Sequence, residues 1–152
     1  MRPSKFIVGE YHFQEHIVTT VLIVEDDPLI ALSLRMVLED EGYEVCGVAA
    51  TERRAISLGL THRPDAAVVD VRLTEGSGIE AGRRLLAGGT RVVFATACAA
   101  EVAREFPDAG VPVIEKPYDA QLIVRTVRFL LSDGAQYGMP SGILVTDRCQ
   151  AA

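Results

Sequence analysis

The sequence predicts an α/β domain: a doubly wound sheet of five parallel strands, each followed by a helix, between Val21 and about Ser132. Three observations predict it. Short apolar runs recur, and Val21 to Val24 and Ala66 to Val69 contain no polar residue. Stretches with helical apolar spacing separate the runs. Most of the runs break off at a polar or charged residue: Glu25, Asp70, Thr96 and Glu115. Buried strands alternating with helices describe a parallel sheet covered on both faces.

The elements follow in order. Val21 to Val24 is the first strand. Asp27 is placed to cap a helix that opens at Pro28 and runs to about Glu41, with Ile30, Leu34, Val37 and Leu38 on one face. Gly42 fits just past its end. Glu44 to Val48 is the second strand, at an edge. Thr51 caps a helix reaching about Thr61. Ala66 to Val69 is the third strand and ends at Asp70. "TEGSG", Thr74 to Gly78, is a loop. Ile79 to Ala87 is a short helix closed by Gly88 and Gly89. Arg91 to Ala95 is the fourth strand, ending at Thr96. Ala99 to Phe106 is a short, Ala-rich helical segment. Val111 to Ile114 is the fifth strand, followed by Glu115, Lys116 and Pro117. Asp119 caps a last helix to about Leu131.

The 152 residues suit one domain with a real core, and 49% hydrophobic with 24% charged residues is an ordinary globular balance. The net charge of −6 argues against a protein that coats DNA, since phosphate contacts need clustered Lys and Arg. Three widely spaced cysteines, Cys46, Cys98 and Cys149, suggest a reducing compartment rather than a disulfide framework. No leader-like stretch is present at the start, and no apolar run nears the roughly 18 residues of a membrane span. The expectation is a cytoplasmic protein with no membrane contact.

In doubly wound sheets, function gathers at the carboxyl ends of the strands. Here those ends supply Glu25, Asp26, Asp70, Thr96 and Lys116. Three carboxylates and one ammonium leave about two excess negative charges in a small space. A hard divalent cation relieves that repulsion, and carboxylate, carbonyl and water ligands suit Mg²⁺. A carboxylate beside such a cation can attack a phosphoryl group, with Lys116 and the Thr96 hydroxyl holding its oxygens. Asp27 belongs instead to the helix that follows.

Taken together, Glu25-Asp26, Asp70, Phe94-Ala95-Thr96, Lys116-Pro117 and Gly78 make the chain resemble the receiver domain of bacterial two-component response regulators, over about Thr20 to Leu131. The resemblance implies a flavodoxin-like fold of strand order 2-1-3-4-5. It implies that Asp70 is the phosphoacceptor, Thr96 the switch hydroxyl and Lys116 the phosphate partner, before a cis bond to Pro117. Asp26 would bind Mg²⁺ directly and Glu25 partly through water, with the backbone carbonyl of Arg72 as a further ligand. The phosphoryl donor would be a histidine kinase or a histidine phosphotransfer protein, and the protein would be a signalling component rather than an enzyme. Residues 1–19 are then an N-terminal extension, 20–132 the receiver domain and 133–152 a C-terminal tail. About 20 residues after the last helix are too few for a helix-turn-helix. Output is therefore expected through a downstream protein partner, as a stand-alone receiver without direct DNA binding.

Several residues depart from the family pattern. The position three before the lysine, aromatic in the family, is Val113. Arg72 lies beside the acceptor, Cys98 lies two past Thr96, and Ala97 replaces a glycine. Val113 and Arg72 are the support for an alternative, a pseudo-receiver that binds partners without phosphorylation. A second alternative is a zinc protease, because "HFQEH", His12 to His16, fits H-x-x-E-H. That motif sits in a short leader just before a strand, which disfavours it. On the last helix, Val124, Phe129 and Leu131 widen the apolar stripe beyond one core face. Either the tail segment "GILV", Gly142 to Val145, covers the excess, or it forms a partner or homodimer face.

Overall fold

The computed structural model describes residues 17–107, 109–132 and 139–146. The "HFQEH" stretch lies outside them. The chain runs β1 (Thr20–Val24), α1 (Pro28–Asp40), β2 (Glu44–Ala49), α2 (Glu52–His62), β3 (Ala66–Val69) and α3 (Gly78–Ala87). It continues through β4 (Arg91–Thr96), α4 (Ala99–Glu105), β5 (Pro112–Glu115), α5 (Ala120–Leu131) and β6 (Leu144–Val145). The sheet order is β2-β1-β3-β4-β5-β6, which is the expected 2-1-3-4-5 with one strand added. The first five strands pair in parallel, and β6 lies antiparallel on β5.

Alternation along each strand divides the core in two. Leu22, Val24, Ala67, Val69, Val92 and Phe94 face α2, α3 and α4, meeting Leu58, Leu85, Val102 and Phe106. Val21, Ile23, Val68, Val93 and Ala95 face α1 and α5, meeting Leu34, Leu38, Ile123 and Val127. Successive side chains on a strand point to opposite faces, so strands covered on both sides read as unbroken apolar runs.

The caps explain where the helices start. The Asp27 carboxylate accepts from the amides of Leu29 (2.9 Å) and Ile30 (3.3 Å), satisfying amide donors of the first turn of α1. Thr51 and Asp119 cap α2 and α5 in the same way. Gly42 follows the end of α1 with φ +90°, a conformation glycine adopts without strain. The α3 helix begins one residue earlier than predicted, because the Ser77 hydroxyl accepts from Ile79 N at 3.1 Å.

Two further differences concern the tail. β5 is shifted by one residue, to Pro112–Glu115, because Val111 N donates to the Thr146 hydroxyl. β6 itself was foreseen only as apolar cover. Ile143, just before it, packs against the core cluster to which Ile123, Val124 and Val127 of α5 belong, and none of the apolar residues of α5 is fully exposed. The exposed apolar stripe lies on α1 instead, at Leu29, Leu32 and Met36. No helix among the described residues is long and apolar enough to cross a membrane.

Candidate functional site

Parallel strands bring their carboxyl ends to one edge, and five predicted residues meet there. Glu25 and Asp26 follow β1, Asp70 follows β3, Thr96 ends β4 and Lys116 follows β5. The Lys116 ammonium donates to Glu25 Oε2 at 3.0 Å and to Asp70 Oδ2 at 2.8 Å. Glu25 is 3% exposed and Asp70 8%. Carboxylate oxygens of Glu25, Asp26 and Asp70 all lie within 4.8 Å of one another. The Lys116–Pro117 bond is cis.

The protein itself offsets part of the repulsion among these acids. Besides Lys116, the amide of Asp27 donates to Glu25 Oε1 at 3.1 Å, and the amide of Arg72 donates to Asp70 Oδ1 at 3.2 Å. The Thr74 hydroxyl donates to Asp26 Oδ2 at 2.7 Å. That bond holds the Asp26 carboxyl below the usual carboxylate range. Burial pushes the Glu25 carboxyl up, against the pull of Lys116 and the Asp27 amide. Burial alone would lower the Lys116 ammonium; its bonds to Asp70 and Glu25 outweigh this, and it is raised.

Gly78 fixes the backbone beneath Asp70. Its amide donates to the Val71 carbonyl at 2.8 Å. A Cβ at this position would stand 1.7 Å from the Asp70 carbonyl oxygen. The start of α3 can approach the end of β3 only with glycine there.

Thr96 is 1% exposed, and its hydroxyl accepts from Cys98 N at 3.1 Å, at the start of α4. Among the described residues it makes no side-chain hydrogen bond to Asp70 or Lys116. The Arg72 guanidinium reaches across to Cys98 Sγ at 3.0 Å and lies 3.9 Å from Glu101 Oε2. Val113 is buried and pairs with Leu144 of β6.

Sequence reasoning missed Thr74, which it read only as part of a loop. It also missed Glu52, whose carboxylate accepts from Ser77 N at 2.8 Å and ties that loop to α2. Neither leaves a periodic signal; a hydroxyl in a loop just after an acidic strand end was the available hint for Thr74.

The donor set suits a hard cation. Three clustered carboxylates against one ammonium leave the site acidic, and their oxygens match the ligands Mg²⁺ prefers.

The sequence model of the response regulator receiver domain matches residues 21–128. PdtaR, a transcriptional regulatory protein of Mycobacterium tuberculosis, is 29% identical over 115 residues, covering 74% of this chain and 56% of that protein. PhyR, the phyllosphere-induced regulator of Methylorubrum extorquens, is 40% identical over 70 residues, covering 45% of this chain and 26% of that one. The solution structure of the PhyR receiver domain of Erythrobacter litoralis matches with a TM-score of 0.68 at 28% identity, over 75% of this chain and 90% of that one. The chain spans about half, or less, of the length of these two curated relatives.

Proposed function

The chain belongs to the response regulator receiver domain family, and from that premise we propose that it is a phosphoacceptor that works through Asp70. The family is one of signalling proteins rather than of enzymes. The donor is the phosphohistidine of a histidine kinase or of a histidine phosphotransfer protein. The single observation that carries the reading is the bridge from Lys116 to both Asp70 and Glu25, with Asp26 beside them.

The chemistry balances. An Asp70 carboxylate oxygen attacks phosphorus, the phosphorus–nitrogen bond breaks, and the leaving imidazole keeps the electron pair and takes up a proton. An acyl phosphate remains on Asp70. Lys116, already at hydrogen-bond distance from Asp70, turns to a phosphoryl oxygen. Glu25, Asp26, Asp70 and the Arg72 carbonyl would hold Mg²⁺, which when bound neutralises developing charge on the phosphoryl oxygens. The Thr96 hydroxyl exchanges its Cys98 partner for the phosphoryl group.

We take residues 20–132 as the receiver unit and the tail after it as part of the output. The donor docks beside the site, on α1. Its exposed Leu29 adjoins a groove of about 590 Å³ that is also lined by Ile30, Leu34, Lys116, Pro117 and Tyr118. A homodimer through α5 has less apolar surface to use, since Ile123, Val124 and Val127 are buried.

Intact mass after incubation with Mg²⁺ and acetyl phosphate tests the reading. Wild type is expected to gain one phosphoryl group and Asp70→Ala none. No gain on wild type sinks phosphoacceptance and leaves the pseudo-receiver; equal gain on both moves the acceptor elsewhere.

A further inference from the structure

β5 lies next to the sheet edge, and among the described residues β6 covers it with two residue pairs, Pro112 with Val145 and Val113 with Leu144. Thr146 closes the segment. Its hydroxyl accepts from Val111 N at 2.9 Å, its amide donates to the Val111 carbonyl at 3.1 Å, and its carbonyl accepts from Gly110 N at 3.0 Å. Thr146 is 4% exposed, while Leu144 is 51% exposed. At the other end Ile143 packs against the core cluster that includes Ile123 and Val127. Between α4 and β6 is an open groove of about 370 Å³, lined by the alanines of α4, Val113, Glu115 and residues 144–146. The small alanine side chains leave α4 room on that side. Among the described residues β6 is therefore held mainly by main-chain bonds that other extended segments could make, one hydroxyl and one anchoring isoleucine.

We propose that the outer edge of β5 is a strand-receiving site, closed by the chain's own residues 143–146 and opened to an extended, apolar partner segment with Ser or Thr at the Thr146 position. An open sheet edge offers unpaired amides and carbonyls, which give a pairing strand its affinity. A strand of two residues is a weak plug. A partner segment with more pairs replaces it and satisfies the same Val111 groups. The groove between α4 and β6 gives the trigger. The Thr96 hydroxyl pins the start of α4 through Cys98 N. When the phosphoryl group draws that hydroxyl away, α4 is free to move across the groove and press on Leu144 and Val145. The trigger alone rests on the functional reading above.

The test uses the full chain and a fluorescent peptide, Pro-Ser-Gly-Ile-Leu-Val-Thr, which is the sequence of residues 140–146. The double variant Ile143→Asp, Thr146→Val loses the tail's anchor and its hydroxyl. It is expected to bind the peptide about tenfold tighter, or more, than wild type does. Amide exchange at Val111 and Val113, fast in the free variant, is expected to slow in the bound one. Equal peptide affinity for both proteins overturns the proposal, as does binding that leaves those amides unprotected. Should the double variant fail to fold, Thr146→Val alone carries the same comparison. With Mg²⁺ and acetyl phosphate, wild type is expected to gain peptide affinity in step with phosphoryl uptake, read by intact mass. Uptake without that gain overturns the trigger. No uptake overturns the functional reading, and the strand site then stands or falls on the variants.

Discussion

The Lys116 ammonium donates to Asp70 Oδ2 at 2.8 Å and to Glu25 Oε2 at 3.0 Å. One cation thus serves two carboxylates, one of them almost fully buried. Lys116→Met should leave both without it. In metal-free buffer the variant should lose about 2 kcal/mol in denaturant melts, below the figure for a fully buried pair because Lys116 keeps partial contact with water. Mg²⁺ affinity, by contrast, should rise, since the competing cation is gone. Phosphoryl uptake should fall about 100-fold, by analogy with the loss of one oxyanion donor. A variant that was merely misfolded would lose all three together.

Asp26 and Asp27 are neighbours with different tasks. Asp26→Ala should weaken Mg²⁺ binding by about tenfold or more, because ligand charge sets the affinity of such sites. Asp27→Ala should leave Mg²⁺ binding unchanged and cost about 1 kcal/mol of stability, the usual loss on removing an N-cap. Calorimetric Mg²⁺ titration and denaturant melts separate the two. The Thr74 hydroxyl adds a pH signature. It holds the Asp26 carboxyl low, so its contribution is present above the ordinary carboxylate pKa of 3.8 and is lost as pH falls through the folded value. Thr74→Val should shrink that acid-side loss in metal-free protein.

Most of this was legible in the sequence because it is local. β1, β3 and β4 read as apolar runs, and Asp27, Thr51 and Asp119 sat where caps belong. The convergence of Glu25, Asp26, Asp70, Thr96 and Lys116 followed from topology, since parallel strands share one carboxyl edge. Features that join distant segments were not legible. Thr74 meets Asp26 across 48 positions, and no periodicity announces the contact. β6 is two residues long, too short for strand periodicity, and only its fit to Val111 and Val113 makes it a strand. The shift of β5 came from the same contact.

Tyr118 follows the Lys116–Pro117 bond, and its hydroxyl is buried without a hydrogen-bond partner among the described residues. Burial pushes its phenol up from 10 to about 12. Between those values the unfolded chain has released the proton and the folded chain still holds it. Stability from this group is therefore present below pH 10 and is lost as pH rises toward 12. Tyr118→Phe removes an unsatisfied polar atom at little change in shape. At neutral pH it should be neutral or stabilising by up to about 1 kcal/mol, and it should flatten the alkaline decline. Thermal melts from pH 7 to 11 read both effects; a clearly less stable Phe variant at pH 7 would show that the hydroxyl has a partner.

Gly78 gives the most demanding prediction, because it links fold and site at one atom. The added methyl of Gly78→Ala would meet the Asp70 carbonyl oxygen at 1.7 Å. No side-chain rotation relieves that contact, since both the new Cβ and its neighbour are fixed to backbone. Either the start of α3 or the end of β3 must move. Overpacking of this kind costs about 3 kcal/mol, at the upper end of its usual range. The displacement also pulls Asp70 from Lys116 and from the Arg72 amide. Gly78→Ala should therefore lose phosphoryl uptake even at low temperature, where the chain remains folded by circular dichroism. Gly89→Ala is the control: it lies past the end of α3 with φ +91° and open space around it. It should cost about 1 kcal/mol through strain in the left-handed region alone, and leave uptake unchanged. If the two variants lose uptake equally, the close approach at Gly78 is not what positions the acceptor.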